Sequence, residues 1–273
     1  MRKLTVLLLV LIVISAGCIG GNTSQTQSPT ASQTGATQST SSVTSTATTA
    51  TPAEKTSINP LKELQAIKQY TYTENASVEL RINMTAGNIT QQTNVSLVIV
   101  ESGYVDLDGM KARIQTRTTT LPDNVTINTT WIVIGRKVYV ENFGNVTVEN
   151  NTAFWRINPV SLARELLKLK PVGNYTENGT LVLVYSVPEE LVLPLAELYF
   201  TTPEMNTTVT DATAELYFTE DGFTGMKLTY GILATTTTNG IGGEIKVTER
   251  GLWKGTIRIT SVNKKEEVKA PST

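Results

Sequence analysis

From residue 58 onward, apolar and polar side chains alternate in short runs. Val78, Leu80, Ile82 and Met84 are separated by Glu79, Arg81 and Asn83, the two-residue period of a strand with one buried and one wet face. The period returns at Val95-Leu97-Ile99, Ala112-Ile114, Ala214-Leu216-Phe218, Met226-Leu228-Tyr230, Ile245-Val247 and Ile257-Ile259. Asp108-Gly109, Asn178-Gly179, Asp221-Gly222 and Asn239-Gly240 are pairs that accept positive φ in tight connections, so consecutive strands are expected to run as antiparallel hairpins. Trp131 to Ile134 and Leu181 to Val184 are apolar at every position, which predicts strands covered on both faces.

Helices are predicted to provide that cover. Asn59-Pro60 ahead of Leu61, Leu64 and Ile67 has the form of an N-cap, a first-turn proline and an apolar stripe. Asn158-Pro159 repeats the opening before Leu162, Ala163, Leu166 and Leu167, and Lys168, Lys170 and Pro171 suit its end. A third helix is expected from Pro188 to Phe200, kinked or split at Pro194. The predicted fold class is α+β: a single curved antiparallel sheet, a half-open barrel, with a few helices on its concave face.

The first 57 residues follow other rules. Arg2 and Lys3 precede an apolar run from Leu4 to Ile14, then Ser15-Ala16-Gly17 and the lone cysteine, Cys18. This is the layout of a secretory signal. A spanning helix needs about 20 apolar residues, which this run reaches only by counting through Gly21, so an uncleaved anchor is the second choice. Gly17-Cys18 resembles a lipobox, although Ser15 stands where that motif usually carries Leu, Val or Ile. Gly17-Cys18-Ile19-Gly20-Gly21 is similar to the lipoboxes of archaeal surface lipoproteins. The resemblance implies lipidation of Cys18 and attachment to the outer face of the cytoplasmic membrane. From Asn22 to Ser57 the chain is Ser, Thr, Gln, Ala and Gly with almost no larger apolar side chain, a composition that builds no core. As a flexible stalk it reaches about 35 Å. The expected organisation is a signal peptide over residues 1–17, a lipidated cysteine and Ser/Thr-rich stalk over 18–57, a β-rich domain over 58–263 and a charged, solvated tail over 264–273.

Charge and composition narrow the function. Lys and Arg number 23 against 24 Asp and Glu, so no broad basic field exists to hold nucleic acid. The chain has no histidine, which removes Ser-His-Asp and Cys-His triads and His-ligated zinc. Asp106-Leu107-Asp108-Gly109 opens like a calcium loop but lacks the later acidic ligands, and is read as a hairpin turn. No catalytic residue, metal site or cofactor is assigned, and the chain is not expected to be an enzyme.

Asparagine placement is far from random. Asn22, Asn75, Asn83, Asn88, Asn94, Asn124, Asn128, Asn145, Asn150, Asn174, Asn178 and Asn206 each begin an Asn-X-Ser/Thr sequon, 12 of the 18 asparagines, where 62 Ser and Thr in 273 residues would give about 4 by chance. Export would expose them to glycosyltransferases.

Three segments carry a further resemblance: the strand and turn at Gly103 to Thr120, Trp131 through Gly135-Arg136-Lys137 to Val140, and Trp155-Arg156-Ile157-Asn158-Pro159 opening a helix. In this order the domain resembles LolA/LppX-type lipoproteins, half-open barrels closed by helices. That likeness implies an apolar cavity lined from Val133, Val138, Tyr139, Trp155, Leu162, Leu166, Leu183 and Leu216, with a lipid or a lipidated protein as its partner. The alternative expectation is a glycosylated surface protein that contacts its partner through its exterior and has a filled core.

Overall fold

A computed structural model describes residues 58–150, 153–200, 206–240 and 243–271. The signal segment, Cys18, the stalk and Asn22 lie outside the described residues. In chain order the elements are α1 (Pro60–Ala66), β1 (Gln69–Ala86), β2 (Ile89–Asp106), β3 (Lys111–Leu121), β4 (Val125–Ile134), β5 (Lys137–Asn142), β6 (Asn145–Asn150), α2 (Phe154–Ile157), α3 (Pro159–Leu166), β7 (Gly173–Glu177), β8 (Thr180–Ser186), α4 (Glu189–Phe200), β9 (Asn206–Thr219), β10 (Gly222–Gly240) and β11 (Gly243–Val262). The strands form one antiparallel sheet in the order β6-β5-β4-β3-β2-β1-β11-β10-β9-β8-β7. It is not closed, and β6 and β7 are its edges. The architecture is the α+β half-open sheet expected from the alternation.

Cross-strand register assigns the faces. Val78 pairs with Leu97 on β2 and Trp253 on β11, and Tyr230 pairs with Trp253 from β10, so these side chains share the concave face. One core runs across that face, from Val133 and Val138 through Leu80 and Val78 to Leu216 and Phe218. The β9–β10 pairing shifts register between Phe223 and Gly225. Gly225 sits there at φ +150°, and a Cβ would run into the backbone carbonyl of Ile257, so only glycine fits this bulge.

Both Asn-Pro openings act as expected. Asn59 Oδ1 accepts from the Lys62 amide at 3.1 Å, and Asn158 Oδ1 accepts from the Ser161 amide at 3.1 Å. Arg164, in α3, then donates to Leu64 O in the last turn of α1 at 2.9 Å and to Ile67 O just beyond it at 2.7 Å, tying the two helices together. α4 runs through Pro194 without splitting. Proline removes one backbone donor, and burial of Val192 before it and Ala196 after it holds both halves on the sheet.

Two expectations need correction. The apolar runs are not covered equally on both faces: outward-facing Val182 is buried, whereas Ile132 and Ile134 are only half-buried. The charged tail is not wholly solvated, because Val268 is 5% exposed and Glu266 pairs with Arg113 on β3 at 3.3 Å.

Candidate functional site

The inward phase of β1 runs back from Val78 and Ala76 to Glu74 and Tyr72, and that of β2 runs forward from Leu97 and Ile99 to Glu101. Glu74 and Glu101 are therefore direct cross-strand partners on the core face, with Thr116 of β3 opposite Glu101 on its other side. Tyr72 Oη donates to Glu101 Oε1 at 2.6 Å, and Thr116 Oγ1 donates to Oε2 at 2.7 Å. Gly255, on β11, leaves room for Glu74, since a Cβ there would lie 2.8 Å from Glu74 Oε1 and 2.7 Å from Trp253 Nε1.

Electrostatics separates the two carboxyls. Burial raises the Glu74 carboxyl well above the usual carboxylate range, and the neighbouring Glu101 charge raises it further. Burial also raises Glu101, but hydrogen bonds from Tyr72 and Thr116 favour its ionised form. Of the two, Glu101 therefore ionises more readily, and Glu74 holds its proton to higher pH.

Helices wall in this floor. Asn158, 2% exposed, sits at the corner between α2 and α3, where its side-chain amide donates to the carbonyls of Phe154 and Trp155 and its Oδ1 accepts from Tyr70 Oη at 2.8 Å. Trp155 Nε1 donates to the Gly135 carbonyl at 2.6 Å, fixing α2 to the β4–β5 turn. Between sheet and helices lies a partly open cavity of about 60 Å³, with Ile114, Trp131, Leu228 and Ile257 on the sheet side and Phe154, Ile157, Pro159, Leu162 and Leu195 on the helix side. Glu74, Glu101, Tyr72 and Asn158 supply its polar surface. The volume is room for roughly four waters.

Of the eight residues expected to line a cavity, Leu162 does so. Val133, Val138, Leu166 and Leu216 lie in the filled core, each 1% exposed or less, and Leu183 packs against that core from β8. Trp155 is half-buried on α2 with its indole turned to Gly135. Tyr139 belongs to the opposite face: Val138 and Val140 take the inward phase of β5, and Tyr139 pairs with Ile132 on the outside. Glu74, Glu101 and Thr116 were missed as site residues, although each occupies the apolar phase of its own strand. Asp106 is a turn residue, accepting from the Gly109 amide at 2.9 Å and from Gln69 Nε2 at 3.2 Å.

No protein-family model and no curated protein matches the chain. Among solved structures it is similar to LprF from Mycobacterium bovis, with 8% identity and a TM-score of 0.36, covering 78% of this chain and 94% of that one. It is also similar to a beta-barrel-like protein of the domain of unknown function DUF1849 from Brucella abortus, with 11% identity and a TM-score of 0.25 over 72% of this chain and 100% of the other. The fold described above rests on strand order and register, not on these likenesses.

Proposed function

We propose that this chain is an exported, lipid-anchored, non-enzymatic binding protein that holds the apolar end of a ligand between its sheet and helices. The ligand's hydrogen-bond donor turns toward Glu101 and Glu74. The observation that carries this reading is an apolar-walled, partly open cavity with a carboxyl pair on its floor. Buried carboxyls are costly unless donors reach them, and an ammonium or hydroxyl group on the ligand would add a donor where Tyr72 and Thr116 already supply two. Cys18 anchors the protein at the outer face of the cytoplasmic membrane, and the stalk sets the reach of the domain from that surface.

The cavity also limits the occupant. At about 60 Å³ it takes a chain terminus or a short branched group, whereas pockets enclosing drug-sized ligands measure about 300–1,000 Å³. A full acyl chain would enter only with outward displacement of α2 or α4. The small volume, with Val133, Val138, Leu166 and Leu216 packed solid, is the observation behind a second reading, a surface interaction protein with a filled core.

Lipid extraction and mass spectrometry of the full chain, purified without detergent from cells that export it, tests the choice. A stoichiometric amphiphile, lost in Glu101→Gln, supports the binding reading. A ligand-free protein that takes up neither a long-chain alkylamine nor a fluorescent fatty acid overturns it in favour of the surface reading.

A further inference from the structure

The polar groups of the cavity are unevenly satisfied. Asn158 has nothing left to offer a ligand: its Oδ1 accepts from Tyr70 Oη and from the Ser161 amide, and its Nδ2 donates to the carbonyls of Phe154 and Trp155. The Tyr72 hydroxyl donates to Glu101. Glu101 takes one donor on each oxygen, from Tyr72 and Thr116, and a carboxylate has about four acceptor sites, so part of its capacity stays open. Glu74 lines the same cavity, and among the described residues no hydrogen-bond donor reaches its carboxyl.

The floor therefore lacks donors, and the walls lack a cation, since no Lys or Arg stands among the described residues that line the cavity. A carboxylate shut away from water without either is costly. A ligand hydroxyl would bring one donor and no charge. A carboxylate, phosphate or ester carbonyl would set its lone pairs against Glu101, with only the Glu74 proton to meet them. A primary ammonium brings three donors and a positive charge.

The walls also suit an organic cation. A Cβ at Gly103 would run into the Tyr72 ring, so that ring lies over Gly103. Cross-strand register then continues the row from Gly103 to Ile114 and Trp131, which leaves Ile114 between two aromatic side chains. Phe154 lines the helix side. Aromatic faces attract cations. Room for roughly four waters is room for a nitrogen and about three carbons, so the rest of a larger molecule stays outside.

We infer that the cavity takes a primary alkylammonium group on an unbranched stem of about three carbons, its N–H groups donating to Glu74 and Glu101 and its stem lying among Tyr72, Trp131 and Phe154. This rests on the binding reading above and narrows the ligand's donor to a cation. Such a group occurs at the end of a free amine and on a lysine side chain of a partner protein.

The test is an NMR titration of the full chain, labelled at its isoleucine δ1 methyls and purified without detergent from cells that export it. Ile114, Ile157 and Ile257 line the cavity, whereas Ile82 and Ile99 are buried elsewhere. Propylammonium chloride should shift the three cavity methyls saturably, with half-saturation on the order of 1 mM, and leave the other two in place. Propanol, propionate and tetramethylammonium should each bind at least about tenfold more weakly, and Glu74→Gln should weaken propylammonium about tenfold. Should Glu74→Gln fail to fold by circular dichroism, the parent's preference for propylammonium over propanol decides alone.

Propanol binding as tightly as propylammonium would overturn the cation and leave a donor-bearing ligand in the cavity. Tetramethylammonium or propionate binding as tightly would overturn it as well, because neither offers Glu74 an N–H. If no probe moves the three methyls, the binding reading falls too. Nα-acetyl-lysine methylamide is the arm that separates the sources: shifts at the same methyls support a partner's lysine, and their absence beside bound propylammonium supports a free amine.

Discussion

Tyr72 and Glu101, 29 residues apart in sequence, meet on neighbouring strands through a 2.6 Å hydrogen bond from the phenol to Oε1. Together with the Thr116 hydroxyl it favours the ionised form of Glu101 against the burial that raises its carboxyl. It also keeps Tyr72 from ionising, since burial and the adjacent Glu101 charge both push the phenol well above its usual range.

Tyr72→Phe leaves Glu101 with Thr116 as its donor while the carboxyl stays largely surrounded by protein. Hydrogen bonds to charged groups contribute about 1.5–3 kcal/mol, so a loss of about 2 kcal/mol is expected at neutral pH. In a Glu101→Gln background the same substitution should cost about 1 kcal/mol or less, because the acceptor is then neutral. Urea denaturation of the four proteins in this cycle measures the difference. Equal losses in both backgrounds would show that Glu101 does not hold the charge.

Asn158→Ala removes the α3 cap and strands the Tyr70 hydroxyl, which is fully buried against Asn158 Oδ1. The cap accounts for about 1 kcal/mol and the orphaned hydroxyl for about 1–3 kcal/mol, giving an expected loss of about 2–4 kcal/mol. Adding Tyr70→Phe should recover part of the loss, since no buried donor is then left without an acceptor. A double variant less stable than Asn158→Ala alone would place the cost in the cap.

Asn158 also shows what was legible in the chain. Its capping role followed from Asn-Pro ahead of an apolar stripe, a local pattern, and alternation likewise revealed the strands and most hairpins. Its bond to Tyr70 spans 88 residues and depends on how α3 crosses β1, which no local pattern encodes. Glu74 and Glu101 lie between these cases. Extending the phase of Val78 and Ala76 backward, and of Val95 and Ile99 forward, puts both carboxyls on the apolar face, but only the register of β1 against β2 makes them partners. Tyr139 failed as a cavity residue because it was grouped with Val138 by apolar character instead of being separated from it by strand period.

Glu249, on β11 between Ile82 and Ala234, is 7% exposed, and burial pushes its carboxyl from 4.5 up to about 7. In the unfolded chain this group loses its proton near 4.5, while in the folded protein it holds the proton until about 7. Its contribution is therefore complete below 4.5, declines between the two values and is gone above the upper one, a change of about 3 kcal/mol. Glu74 and Glu101 are shifted in the same direction. The urea midpoint should fall from pH 5 to pH 8, and Glu249→Gln should be more stable than the parent at pH 8 and flatten the decline. A midpoint that rises over this range would mean that Glu249 is ionised in the fold.

The segment after β11 should behave as a strap over the outer face. Asn263 starts it, donating from its backbone amide to Gln69 O at 2.7 Å and accepting the Lys68 amide at Oδ1 at 2.9 Å. Tyr104 pairs with Arg113 across β2 and β3, points away from the core and is nevertheless only 3% exposed, while Glu266 reaches Arg113 at 3.3 Å. The exposed ion pair contributes about 0–1 kcal/mol. Burial of Val268 contributes more, and losing two methyl groups in Val268→Ala should cost about 1.5 kcal/mol. Val268→Asp should release the strap, so that trypsin cuts at Lys264 and Lys265 faster than in the parent, while Glu266→Gln leaves the cutting rate nearly unchanged. Equal cutting of Val268→Asp and the parent would mean that the backbone bonds of Asn263, and not Val268, hold the segment down.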